Sequence, residues 1–208
     1  MSEARKRTLS ENMRVWFRWL LEPIARFFNR LGIHPNLMTL FGLAGTTLAG
    51  VLLGMGYIRW GGLLLLIMGP VDALDGAMAR LRGEPTVWGA FVDSVSDRYA
   101  ELVVFGGLLF HFLTQEEPSG VVLAYLAAAG SVLVSYVKAR ADAGKLDANV
   151  GILTRFERLL VLIPSLIFNV PLYGLGIIAV FANLTALQRI ARVRRDAYRQ
   201  MAATRRDD

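Results

Sequence analysis

The sequence predicts an all-α integral membrane protein of six transmembrane helices, preceded by an amphipathic helix lying in the membrane interface. Three observations carry that reading. Of the 208 residues 54% are hydrophobic and only 19% are charged, with a positive mean hydropathy of +0.44, too apolar for an ordinary soluble domain. At about 20 residues per crossing, the apolar material suffices for roughly six spans and leaves no room for a second domain. The excess of basic residues, 23 Lys and Arg against 17 Asp and Glu, falls almost wholly on one side of that arrangement, as the positive-inside rule requires.

Residues 1–34 are expected to form a basic arm and a juxtamembrane amphipathic helix. Within 13–31, Trp16, Phe17, Leu20, Ile24, Phe27, Phe28 and Leu31 fall near one face, with Arg14, Arg18, Arg26 and Arg30 clustered away from them. That pattern suits a helix in the interface plane; a first spanning helix is disfavoured because the charges recur every turn. The basic start lacks the short apolar core and small-residue cleavage site of a signal peptide.

Spans follow at 36–57, 61–81, 86–113, 119–140, 152–170 and 172–196, the third and sixth long enough to project beyond the bilayer. Pro35 suits the first position of the opening helix, with His34 in place of the usual small polar cap. Gly42, Gly45 and Gly50 allow close helix contact. A membrane domain over 35–198 and a polar tail over 199–208 complete the organisation. With a cytoplasmic N-terminus, the arm, Arg80 and Arg82, the Lys138 to Arg158 connection and the tail share one side. Only Arg59 lies opposite, where Glu116 and Glu117 also fall. This is a multi-pass cell-membrane protein with cytoplasmic termini, no disulfides in the absence of Cys, and no nucleic-acid partner.

The chemistry gathers between Asp72 and Asp97. An ionised carboxylate at membrane depth costs several kcal/mol, on the order of 3, unless something compensates it, and Asp72, Asp75, Asp93 and Asp97 place four such groups in otherwise apolar helices. Asp72 and Asp75 stand at i, i+3 and Asp93 and Asp97 at i, i+4, so each pair shares a helical face. The Arg82-Gly83-Glu84-Pro85 break permits a sharp reversal, letting two antiparallel helices turn both acidic faces into one cleft. With no Cys and two His, the cations that suit it are hard and oxygen-bound, Mg²⁺ or Mn²⁺. A salt-bridge network with Arg80, Arg82 and Arg98 is the structural alternative.

The spacing Asp72-x2-Asp75-Gly76-x2-Ala79-Arg80-x8-Gly89-x3-Asp93-x3-Asp97 resembles, at every position, the signature of the CDP-alcohol phosphotransferase family. It fixes eight identities over 26 positions. The resemblance implies six transmembrane helices, a homodimer, and a divalent-metal site that moves a phosphatidyl group from a CDP-linked lipid to an alcohol, releasing CMP. Two cations ~3.5 to 4 Å apart can clamp such a displacement. By the same resemblance Asp72, Asp75 and Asp93 are metal ligands, and Asp97, counted with them at the metal site, accepts the proton of the attacking hydroxyl. Gly76, Arg80, Asn36 and Thr39, with Asp72, are implied to hold the CDP-lipid. Gly76 lacks a side chain where the nucleotide approaches, and the Arg80 fork matches phosphate. For Asn36 and Thr39, capping and packing are equal alternatives.

Lys138, Arg155, Arg158 and Arg189 gather basic charge that suits an acceptor bearing its own phosphate; ordinary positive-inside charge is the alternative. SYVKARADAGKL at 135–146, GILTRFERL at 151–159 and LQR at 187–189 resemble the family branch of phosphatidylinositol-phosphate synthases and their archaeal-lipid counterparts. There the positions of Lys138, Arg158 and Arg189 bind the phosphate of inositol phosphate. Phe156 departs from that branch, which often has Pro there, and the loop at 147–150 is not Gly-rich. The expected reaction joins CDP-diacylglycerol, or an archaeal CDP-lipid, to L-myo-inositol 1-phosphate at an active site facing the cytoplasm. The same chemistry with glycerol 3-phosphate is one alternative, and a small cation transporter is another, since carboxylates also line ion paths.

Overall fold

The structure, a computed structural model, describes residues 21–83 and 86–207, with the backbone alone for 203–207. Every described element is a helix: α1, described over residues 21–30, α2 Pro35–Gly54, α3 Ile58–Arg82, α4 Val87–Thr114, α5 Pro118–Ala143, α6 Arg155–Ile167 and α7 Pro171–Asp207. The chain divides into two compact units, Met1–Val104 and Phe105–Asp208.

In the first unit α2 packs against α3, and the glycines of α2 explain how closely. A Cβ on Gly42 would run into the Asp72 carboxylate, one on Gly45 into Met68, and one on Gly50 would lie 2.7 Å from the Val103 carbonyl. His34 caps α2, Nδ1 accepting the Asn36 amide at 3.2 Å, so a ring nitrogen does what a small hydroxyl or carboxylate usually does. Pro70 removes one backbone hydrogen bond from α3 two residues before Asp72. Gly83, at φ 70°, closes α3 in the left-handed conformation with its amide on Ala79 and Arg80 carbonyls.

The first unit also shows which part of the expected amphipathic helix meets protein. Residues 1–20, with Trp16, Phe17, Leu20, Arg14 and Arg18, lie outside the described residues. Of the rest, Leu21 and Ala25 are buried in a cluster with Met38, Leu74, Ala77 and Met78, against which Phe28 packs. Ile24, Phe27 and Leu31 face outward. The helix therefore has two apolar faces, one seated on protein, which a single hydrophobic stripe could not distinguish. Arg82 fixes the seat, donating through Nε to Asn29 Oδ1 at 2.8 Å and through Nη2 to the Ile33 carbonyl at 2.6 Å, while Asn29 donates to the Met78 carbonyl at 3.1 Å.

In the second unit α7 packs against α5 and α6. Gly130 of α5 makes room for Asn183, whose amide donates to the Leu126 carbonyl at 3.1 Å and to Ala179 at 2.7 Å. This is a polar tie between apolar helices of the kind that holds membrane bundles together. At Gly174 of α7 a Cβ would collide with Ser165 of α6.

Among the described residues four helices are long and apolar enough to cross a membrane: Pro35–Gly54, Ile58–Arg82, Pro118–Ala143 and Pro171–Ala202. Their outward faces carry Leu40, Phe41 and Leu48 on α2, Leu66 and Ile67 on α3, Tyr125 and Leu133 on α5, and Val180 and Phe181 on α7, the apolar exterior that lipid demands. The other two expected spans fall short of that standard for distinct reasons. The first half of α4 carries Asp93, Asp97, Arg98 and Glu101. Helix α6, with 13 residues, is ~20 Å long against ~30 Å of hydrocarbon. It starts at Arg155, not 152, because Gly151 sits at φ 134° and Thr154 occupies the N-cap.

Candidate active site

Three helices of the first unit contribute one face each to a small cavity. Thr39 and Leu43 come from α2, Asp72 and Asp75 from α3, and Asp93, Ser96, Asp97 and Ala100 from α4. The i, i+3, i+4, i+7 recurrence along α4 is the periodicity of a single helical stripe, and it brings all four expected carboxylates to the same place. Asp75 is buried, with 7% of its surface exposed. The Thr39 hydroxyl donates to its Oδ2 at 2.5 Å, and the Gly76 amide to its Oδ1 at 2.5 Å. Asp97 meets Arg98 at 3.4 Å, and Arg98 also lies 3.9 Å from Glu101, so part of the charge on Asp97 is offset from within α4.

Among the described residues no three acidic or histidine side chains already close on a point as a preformed cage; Asp75 is turned to Thr39 and Asp97 to Arg98. The donor set still fits hard divalent cations. It is all oxygen, it concentrates four carboxylates that repel one another in the absence of positive charge, and Gly42 keeps open the space that the Asp72 carboxylate fills.

The remaining residues expected at the CDP-lipid lie around this cavity with different partners. Gly76 is half-buried, and a Cβ there would sit 3.2 Å from Arg80 Nη1, so the exposed Arg80 guanidinium folds back over the glycine. Asn36 does not line the cavity. Its Oδ1 lies 3.7 Å from where a Cβ on Gly89 would stand, at the opening turn of α4.

The basic set belongs to the second unit. Arg189 feels the charges of Arg158, Asp142 and Glu157, and Lys138 is bound to Asp142 at 3.1 Å; these four charged positions and Arg158 therefore form one neighbourhood. Both Arg158 and Arg189 are buried, at 3% and 7% exposure. Arg158 donates to the Leu153 carbonyl at 3.3 Å. Arg189 donates through Nε to Val150 at 3.0 Å and through Nη1 to Val134 at 2.7 Å, which gives it a structural duty that its spacing did not reveal. Arg155 is half-buried one turn before Arg158.

Gly42 and Ser96 carry no signal of their role in the sequence, and Arg98 and Arg82 carry only part of theirs. Gly42 reads as packing until Asp72 is placed beside it, and Ser96, buried at 9%, was visible only as the residue one turn after Asp93. Arg98, expected only as one of three arginines that could pair with the carboxylates, is the ion partner of Asp97. Arg82 was counted as positive-inside charge and is instead the clamp on α1.

Fold and site together define the class: a helical membrane protein built around an all-oxygen carboxylate site. Residues 32–188 match the sequence profile of the CDP-alcohol phosphatidyltransferase family, and this chain belongs to that family of enzymes. Phosphatidylinositol phosphate synthase of Mycobacteroides abscessus is 36% identical over 190 residues, covering 87% of this chain and 86% of that one. Archaetidylinositol phosphate synthase of Pyrococcus horikoshii is 32% identical over 171 residues, covering 82% and 88%. The crystal structure of Mycobacterium tuberculosis phosphatidylinositol phosphate synthase with CDP-DAG bound matches with a TM-score of 0.77 at 31% identity, over 83% of this chain and 92% of that one. The same enzyme in complex with manganese and citrate matches at 0.78 and 31%, over 83% and 88%.

Proposed function

We propose that this enzyme transfers the phosphatidyl group of CDP-diacylglycerol, or of an archaeal CDP-lipid, to L-myo-inositol 1-phosphate, releasing CMP. The observation that carries this reading is the convergence of Asp72, Asp75, Asp93 and Asp97 on one cavity, supported by relatives named for inositol-phosphate transfer and by a similar structure with CDP-DAG bound. Asp72, Asp75 and Asp93, with Asp97 beside them, would hold two Mg²⁺ or Mn²⁺ ions; manganese is present in a structural relative. When bound, these cations supply Lewis-acid stabilisation of charge on the pyrophosphate and the departing CMP.

The protein's own groups do the rest. Arg80 and the open backbone at Gly76 receive the CDP phosphates, with Asn36 at the rim, while Thr39 acts through Asp75. Asp97 accepts the proton of the acceptor hydroxyl as its oxygen attacks the lipid-bearing β-phosphorus and the bond to CMP breaks; Arg98 holds that carboxylate in place. Lys138, Arg155, Arg158 and Arg189 take the acceptor's phosphate, a dianion matched to charge-assisted donors. The same reading includes six spans, with α4 and α6 counted among them, an interfacial helix within 1–34, a membrane domain over 35–198, a tail over 199–208, a homodimer, and an active site facing the cytoplasm.

CMP release from CDP-diacylglycerol, followed with inositol 1-phosphate, free inositol and glycerol 3-phosphate in parallel, tests the proposal. Strong release with inositol 1-phosphate is expected, little with free inositol, which brings no phosphate for the charge-assisted donors to hold, and less with glycerol 3-phosphate, whose phosphate is carried on a smaller alcohol. Release with glycerol 3-phosphate at equal kcat/KM, or with free inositol, would contradict it. In the variants, Arg158→Ala should raise the acceptor's KM roughly tenfold to hundredfold and leave the Kd for CDP-lipid constant, and Arg80→Ala should do the reverse.

A further inference from the structure

The non-helical connection between α5 and α6 runs alongside α7 in a register that the contacts spell out. Gln200 donates to the Lys145 carbonyl at 3.4 Å, Asp196 accepts the Asp147 amide at 2.9 Å, and Arg192 donates twice to Asp147 Oδ2, at 3.1 and 2.7 Å. Further along, Arg189 holds the Val150 carbonyl at 3.0 Å, and the Thr185 hydroxyl accepts the Ile152 and Leu153 amides at 3.3 and 3.1 Å. The α7 numbers fall as the loop numbers rise, so the loop is antiparallel to the helix. The α7 positions 185, 189, 192, 196 and 200 are spaced by four, three, four and four, the repeat of one helical face.

One face of α7 therefore holds the loop at six positions, from Lys145 to Leu153. Gly151 is fitted to it, at φ 134° and with no room for a Cβ against the Thr185 methyl. Immediately after the loop come Arg155 and Arg158, the latter tied back to it through the Leu153 carbonyl. The non-helical segment that leads into α6 and its arginines is thus held by side chains from a single helix. Such support sets how far a basic group can stray from its phosphate.

We infer that the Thr185–Arg189–Arg192–Asp196–Gln200 face of α7 is the positioning element of the acceptor-phosphate site, with the Asp147–Arg192 ion pair as its outer latch. Asp147 and Arg192 are positioning residues that act through Arg158, and the inference rests on the acceptor reading given above. The pair is partly exposed, with 36% and 41% of the side chains accessible, so removing one partner weakens the latch modestly, whereas reversing a charge opposes Asp147 and Asp196 to a third carboxylate.

The test is a charge-reversal cycle in the full-length protein, using inositol 1-phosphate and CDP-diacylglycerol, with Arg158→Ala as the control for the acceptor reading. Arg192→Asp should raise the acceptor's KM about tenfold, and Asp147→Arg combined with Arg192→Asp should bring it back to within about threefold of wild type. The Kd for CDP-lipid should stay constant throughout, and amide exchange at Ile152 and Leu153 should quicken in Arg192→Asp and slow again in the double variant. A normal acceptor KM in Arg192→Asp, or loosened amides that the double variant restores without restoring KM, would overturn the inference while leaving the acceptor site intact. A normal acceptor KM in Arg158→Ala would instead overturn the acceptor reading, and the inference with it.

Discussion

The Thr39 hydroxyl of α2 donates to Oδ2 of Asp75 on α3 at 2.5 Å, a buried hydrogen bond across the helix pair that builds the acidic cavity. It fixes one carboxylate of the site while that carboxylate's other oxygen accepts the Gly76 amide. Thr39 therefore orients a carboxylate that the proposed reading assigns to metal binding, the kind of outer partner whose loss weakens metal affinity ~10- to 100-fold. Thr39→Val, which keeps the shape and removes the donor, should weaken Mn²⁺ binding by that factor in an electron paramagnetic resonance titration. Unchanged Mn²⁺ affinity would show that Thr39 serves α2 alone.

Gly42→Ala tests the space beside Asp72. The added methyl would meet the Asp72 carboxylate, and overpacking of this sort costs ~1 to 3 kcal/mol. The variant should fold with a lowered Tm and lose most of its turnover, because the easiest relief is to move Asp72 off its position. Retention of both Tm and kcat would mean the α2–α3 contact is looser than the structure places it.

Asp97→Asn removes the proposed proton acceptor and keeps the other three carboxylates. General-base assistance is worth ~10² to 10⁴ in rate, so kcat should fall by that factor while CDP-lipid binding, read by calorimetry, holds. Near-normal turnover would reassign the base.

Much of this was legible in the residues, and the failures have physical reasons. The acidic constellation was readable because i, i+3 and i, i+4 spacing fixes a shared face whatever the packing, and charges at membrane depth have few explanations. Two helix ends were readable because Pro35 opens α2 and the break at Gly83 closes α3. What could not be read was partnership across elements. Arg82 on α1, Arg189 on two carbonyls and Gly42 beside Asp72 are contacts between segments 30 to 55 residues apart. Nothing local in the chain marks them. The shortness of α6 escaped because Gly151 reads as an ordinary apolar-run glycine until its backbone conformation is known.

The loop latch has its own pH signature. The Asn149 amide and the Arg192 guanidinium hold the Asp147 carboxyl below the ordinary carboxylate range, with Asp196 the neighbouring acid. A carboxyl depressed on folding contributes stability that is fully present above its unfolded value, ~3.9, and is lost as pH falls through the lower folded value. Protection of the 150–153 amides should therefore be flat from about pH 8 to 5 after correction for intrinsic exchange, and decline only in stronger acid. In Asp147→Asn it should be lower and insensitive to pH over that acid range; a wild-type decline near neutrality would contradict this origin.

In the proposed reaction the acidic cavity joins a CDP-lipid to an alcohol that already carries a phosphate. The purified protein, given CDP-diacylglycerol, inositol 1-phosphate and Mg²⁺ or Mn²⁺, should produce a lipid whose mass equals phosphatidylinositol phosphate, one CMP per lipid formed, with none when Asp93 is changed to Asn or the metal is chelated. Formation of phosphatidylinositol from free inositol at a comparable rate, or product formation that survives chelation, would contradict it.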